Sequence, residues 1–87
     1  MIRKITIVDQ IAAMNEEAIT LDGLDAAIVG ITTAGSVAYS VSRILKILMD
    51  RDGMDAEEAD EFFGFNIECL GLGEFTPIFI HEKNEIV

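Results

Sequence analysis

Ile7, Ile11 and Met14 stand at i, i+4 and i+7, the spacing of one helix face, and predict a short helix near residues 7–14. The residues before it, Ile2-Arg3-Lys4-Ile5-Thr6, are rich in β-branched side chains without clean alternation, which leaves open whether a strand over 2–6 precedes the helix. Asp22-Gly23 signals a turn. The run Ile28-Val29-Gly30-Ile31-Thr32-Thr33, then Ala34-Gly35-Ser36, then Val37-Ala38-Tyr39 reads as two antiparallel strands around a glycine-containing turn. Apolar residues at both odd and even positions of the first strand predict that it is covered on both faces.

From Ser40 the period changes. Val41, Ile44, Leu45 and Leu48 form one helical stripe, Ser40 is placed to cap its start, and Gly53 is placed to end it in the left-handed conformation. Asp55-Ala56-Glu57-Glu58 has the spacing of a capping box, which predicts a second helix with Ala59, Phe62, Phe63, Asn66 and Leu70 on its inner side. Gly71 and Gly73 close that helix, and Pro77 can open the strand Ile78-Phe79-Ile80-His81 because a first strand position can spare its N–H. The order α-β-β-α-α-β predicts an α+β domain. A small antiparallel sheet, made of the hairpin plus the C-terminal strand, would pack with a helical hairpin and a short N-terminal helix. Residues 1–87 leave room for one small domain.

Charge narrows the function. Sixteen acidic residues against six basic ones give a net charge of −10, the opposite of what a phosphate-backbone binder needs, so direct nucleic-acid binding is not expected. The apolar fraction of 51% argues against a disordered tail. The uncharged stretch 26–42 is shorter than the roughly 20 apolar residues a bilayer requires and is broken by serine, threonine and glycine, so no membrane association is expected. With a single cysteine, Cys69, no internal disulfide can form, and the expected setting is cytoplasmic. Acid is concentrated before the hairpin and in residues 55–68, which carry −6.

The segments Gly53-Met54-Asp55-Ala56-Glu57-Glu58-Ala59, Phe65-Asn66 and Gly73-Glu74-Phe75-Thr76-Pro77-Ile78-Phe79 resemble a family of small uncharacterised proteins met chiefly in bacteriophage genomes. Upstream, Leu21-Asp22-Gly23-Leu24-Asp25 and Val37-Ala38-Tyr39-Ser40 extend the resemblance to roughly residues 14–80. This chain departs from the family pattern at Ser40 and Gly64, where acids are usual, and near Leu70 and Leu72, where an aromatic is usual. The resemblance implies a phage-type accessory protein acting in the cytoplasm of a bacterial host.

Few residues carry recognisable chemistry. Asp50-Arg51-Asp52-Gly53 suggests a calcium loop, but aligning Gly53 with the loop glycine puts Leu48 and Ala59 where carboxylate ligands are required. Gly71-Leu72-Gly73 lacks the preceding strand and third glycine of a dinucleotide fingerprint. His81 and Cys69 are the only imidazole and thiol, too few for a zinc site, and no catalytic residue, metal or cofactor is expected. Two polar features remain. Glu57, Glu58, Asp60 and Glu61 form either a solubilising face or a surface for a partner of opposite charge. Asp22, Asp25, Tyr39 and Asn66 are candidates for a polar cluster, in which Asn66 either locks the Gly71-Leu72-Gly73 backbone from a buried position or contacts a ligand.

Two classes of function follow. The first is a non-catalytic inhibitor that binds a basic surface on a bacterial host protein or defence complex through the acidic helix. The second is a homo-oligomer that encloses a small molecule, such as a nucleotide signal, between protomers. It would have to gather Arg3, Lys4, Arg43, Lys46 and Arg51 around an anion.

Overall fold

The computed structural model describes residues 6–83. The segment 2–6, where a strand is left open by the sequence, lies outside the described residues apart from Thr6. Thr6 caps helix α1 (Ile7–Met14): its hydroxyl accepts from the Asp9 N–H, and the Asp9 carboxylate accepts from the Thr6 N–H, closing a capping box. Strands β1 (Ile28–Ile31) and β2 (Val37–Ser40) form the hairpin. Its turn is closed by Gly35 N–H to Thr32 O at 2.9 Å and Thr32 N–H to Ser36 O at 2.8 Å. Gly35 has φ +95°, and Asn15 Nδ2 donates to its carbonyl at 2.9 Å, tying the end of α1 to the turn.

β2 runs directly into helix α2 (Val41–Asp52), with Ser40 as its cap; the buried hydroxyl accepts from the Arg43 N–H. Gly53 ends α2 at φ +72° and its N–H donates to Leu48 O. Helix α3 (Ala56–Phe62) starts from a second capping box, between Asp55 and Glu58. A Cβ at Gly53 would meet nothing within 4 Å, so the cost of filling the position is purely conformational. Gly53→Val should therefore destabilise by more than the ~1 kcal/mol of an ordinary propensity change, because a β-branched residue resists the left-handed region. A chemical-denaturation midpoint equal to wild type would contradict this.

The sheet has the order β1-β2-β3, with β3 at Ile78–Ile80. β1 and β2 are antiparallel, pairing Ile28 with Tyr39 and Ile31 with Val37, with an irregularity between Ile28 and Gly30. β3 pairs parallel to β2, Ala38 beside Ile78 and Ser40 beside Ile80, so the sheet is mixed where an all-antiparallel one was expected. A short apolar strand carries no signature of its direction. That is decided by the crossover through α2 and α3, which returns the chain to the start of β2 and comfortably exceeds the dozen residues a parallel connection needs. The central strand β2 is buried at all four positions.

Beyond α3 the chain widens into a π-helical segment, residues 63–68. This changes which side chains face the core. Ala59, Phe63 and Ile67 are the buried residues, whereas Phe62, Asn66 and Leu70, expected to face inward, are exposed. Steps of four residues over-rotate an α-helix by about 40° each; the wider turn beginning at Phe63 brings Ile67 back into line. Phe63 meets Phe79 of β3 edge-on, with centroids 5.3 Å apart, and Phe79 in turn packs against Tyr39 at 6.1 Å. This aromatic row joins the helices to the sheet across the core containing Ile44 and Leu48.

Candidate functional site: surface clefts along the two central helices

The anticipated polar cluster separates into buried and exposed parts. Tyr39 is fully buried, and its hydroxyl oxygen accepts from the Leu21 N–H at 2.7 Å. Burial pushes its pKa above the ordinary phenol value, the Leu21 N–H opposes this, and the nearby charges of Asp25 and Asp22 push it further up. Tyr39 is thus a neutral anchor for the loop before the hairpin. Asp25 opens a single 3₁₀ turn, residues 25–27, and is exposed.

Asn66 is not the buried lock on the glycine-rich segment. It is exposed on the π segment, and its Nδ2 donates to Phe62 O at 3.3 Å, beside Cys69 Sγ donating to Phe65 O at 2.9 Å. Both side chains donate back to a carbonyl four residues earlier in the chain. The locking role falls to Thr76, whose Oγ1 accepts from the Leu72 N–H and donates to Leu70 O, each at 3.2 Å. Asn66→Ala should consequently change stability by no more than about 0.5 kcal/mol. Thr76→Val, which removes two hydrogen bonds without removing volume, should cost about 1–2 kcal/mol. Denaturation of the two variants side by side checks the assignment; the reverse ranking would return the lock to Asn66.

Asp22 and Asn66 reach the same part of the surface. They line a cleft of about 330 Å³ whose apolar walls include Leu24, Leu48, Phe62 and Ile67 and whose third polar group is Arg51. Arg51 is fixed from two sides: one amino group donates to Gly23 O at 2.9 Å, and the guanidinium grips Asp52 through two hydrogen bonds. That grip holds the exposed Asp52 carboxyl below its usual pKa.

The cleft shares lining residues with two further depressions. On one side, Phe62 and Asn66 also border a depression of about 330 Å³ completed by Met54, Glu58, Glu61 and Phe65. Of the four acids singled out in α3, Glu58 and Glu61 reach it, while Glu57 and Asp60 are exposed without lining it. Phe65 is 79% exposed, a large aromatic held in water beside two carboxylates. Sequence periodicity missed it; the available signal was its i+4 and i+7 spacing from Glu61 and Glu58. On the other side, Arg51 also borders a groove of about 360 Å³ along α2, lined by Ala26, Arg43, Lys46, Ile47 and Asp50. Three of the cations that an anion site would need are thereby gathered in one place.

Chemically, these clefts offer apolar contact and charge. Among the described residues, no group of three or more His, Cys, Asp or Glu side chains is arranged to hold a metal ion, and no helix is long and apolar enough to cross a membrane. Compared with protein-family models, curated proteins and solved structures, the chain matches none.

Proposed function

We propose that this protein is a non-catalytic binding protein whose acidic, aromatic end docks a basic segment of a bacterial protein. The resemblance to phage proteins makes a host protein or defence complex the natural target, with inhibition as the outcome. The observation that carries this reading is Phe65, 79% exposed and lining one depression with Glu58 and Glu61. Exposing an aromatic ring has no benefit for the free domain, whereas a protruding aromatic ringed by charge is the usual anchor of a protein interface. Carboxylates at its edge steer a basic partner and exclude acidic ones.

The acids also have a local role, because Glu57 and Glu58 sit in the first turn of α3, where negative charge is favourable, and Glu58 closes the capping box. The test must spare that role. Glu58→Gln keeps the box and removes the charge; combined with Glu61→Lys it should leave the melting temperature within a few degrees of wild type. Affinity purification from bacterial lysate should then show a protein retained by the wild-type chain and lost from this variant. An unchanged set of captured proteins would reduce the acidic face to a solubilising surface.

The groove along α2 favours the small-molecule reading in one respect, the convergence of Arg43, Lys46 and Arg51. Against it, each is already engaged by a carboxylate: Arg43 with Glu82 at 2.8 Å, Lys46 with Asp50 at 3.0 Å and Arg51 with Asp52 at 2.9 Å. Asp50 also lines the groove itself, so a compact anion would meet a partly neutralised site.

A further inference from the structure

We propose that Asp22-Gly23 is a self-modification site, at which the folded chain rearranges to isoaspartate, and that the fold holds the same pair at Asp52-Gly53 unreactive. These are the two places where an aspartate precedes a glycine, and no asparagine precedes one. Glycine matters in that position because it has no side chain to crowd the backbone nitrogen that must attack. The Gly23 amide nitrogen gives its proton to solvent base and attacks Asp22 Cγ. A C–N bond forms, and the displaced carboxyl oxygen leaves as water, closing a cyclic imide. Water then adds to either imide carbonyl. Addition at the Asp22 backbone carbonyl breaks its bond to Gly23 N, after which the chain runs through Cβ and Cγ as isoaspartate. The water lost is regained, and no other reactant is needed.

The step needs a peptide plane that can turn until its nitrogen faces Cγ, and a carboxyl group that is not already engaged. The first pair meets both needs. Asp22 and Gly23 are the exposed central residues of a turn closed by the Leu24 N–H donating to Leu21 O at 3.2 Å. The flanks of that turn are fixed, the Leu21 N–H by Tyr39 Oη and the Gly23 carbonyl by Arg51. Between these anchors, the Asp22 carbonyl, the Gly23 N–H and the Asp22 carboxylate have no hydrogen bond or ion pair among the described residues. The Asp22–Gly23 plane can therefore turn over while its neighbours stay in place, the motion that interconverts tight-turn types. The glycine is also a requirement of the fold, because φ is +80° and a Cβ would stand 2.6 Å from Arg51 Nη1. In the second pair both needs fail. Asp52 belongs to α2 and the Gly53 N–H donates to Leu48 O, so turning that plane breaks the helix cap. Both Asp52 carboxylate oxygens accept from Arg51, at 2.9 and 3.0 Å. This grip favours the ionised group, a poorer electrophile than the neutral acid. Isoaspartate at position 22 lengthens the backbone between the Tyr39 and Arg51 anchors by one carbon and so reshapes the cleft that Asp22 lines.

Ageing the full chain in heavy-oxygen water, at neutral pH and physiological temperature, tests this on the folded protein and on the same protein in concentrated urea. Each imide that opens takes up one heavy oxygen, which marks the residue, and electron-transfer fragmentation of the digested chain locates the isoaspartate. In the folded protein, conversion at Asp22 should run at least about tenfold faster than at Asp52, the ratio that a barrier raised by roughly one hydrogen bond produces. In urea, where cap and ion pair are gone, the two sites should convert at similar rates. Three results would each overturn the proposal: conversion at Asp52 equal to or faster than that at Asp22 in the folded protein, no conversion at Asp22 over a period in which the unfolded chain converts, or the same preference for Asp22 persisting in urea. The last would trace the preference to neighbouring residues and not to the fold. None of these readouts depends on a partner protein, so the outcome is separate from that of partner capture.

Discussion

Truncating Tyr39 to alanine should cost about 3–5 kcal/mol, comparable with the whole stability of a small domain, and leave much of the protein unfolded at ambient temperature. The ring is completely buried on the central strand and touches Phe79, so its removal opens a cavity where the sheet, the helices and the loop before the hairpin meet. Tyr39→Phe separates the hydroxyl from the ring. It leaves the Leu21 N–H without its 2.7 Å partner and should cost about 1–3 kcal/mol. The same group sets an alkaline limit. Its pKa is raised in the folded state, so the folded chain holds a proton that the unfolded chain releases above about pH 10. The contribution to stability is complete below that value and is lost as pH rises through the folded pKa. Because the chain has one tyrosine and no tryptophan, tyrosinate absorbance reports this group alone. A phenol that titrates at the ordinary value while the protein remains folded would contradict the buried hydroxyl, and Tyr39→Phe should abolish the alkaline loss.

Phe65→Ala should give the opposite profile. With four-fifths of the ring in water, the folded state loses little, within about 0.5 kcal/mol. An aromatic that anchors an interface commonly accounts for about 2 kcal/mol or more, so the affinity for a captured partner should fall by about thirtyfold or more. Calorimetric titration against that partner, beside a thermal melt, measures both. A large drop in melting temperature would mean that the ring is part of the fold, and unchanged affinity would move the anchor elsewhere.

These two rings illustrate what was readable in advance. Caps and turns were legible because they depend on short-range chemistry: Ser40, Gly53 and the Asp55–Glu58 box act within a turn or so of themselves. Helix α1, the hairpin and the α-β-β-α-α-β order follow from the same local signals together with periodicity. Periodicity failed where its premise did. Assigning Phe62, Asn66 and Leu70 to the core assumes an unbroken α-helix, and the widening at Phe63 moves the buried set to Ala59, Phe63 and Ile67. The misplacement of Asn66 comes from that one change of pitch. The direction of β3 was unreadable for a different reason, since it depends on where a long crossover delivers the chain. Of the five cations an anion site would need, Arg43, Lys46 and Arg51 line one groove along α2, a proximity that linear spacing on one helix already allows, but each is paired with a carboxylate there.

The parallel pairing of β3 also orders the events of folding. The β1–β2 turn brings Ile31 and Val37 together across a few residues, and α2 begins at the very next step of the chain. Ser40 and Ile80, by contrast, are neighbours only after the intervening helices have been compacted. The entropy of closing that large loop must be met before its contacts give anything back. β3 should thus be the last element to dock, onto a hairpin and helices already in place. Weakening its grip on β2 should accelerate unfolding while leaving the refolding rate nearly unchanged. The domain's kinetic lifetime, as distinct from its equilibrium stability, should then be set by the short strand at the edge of the sheet.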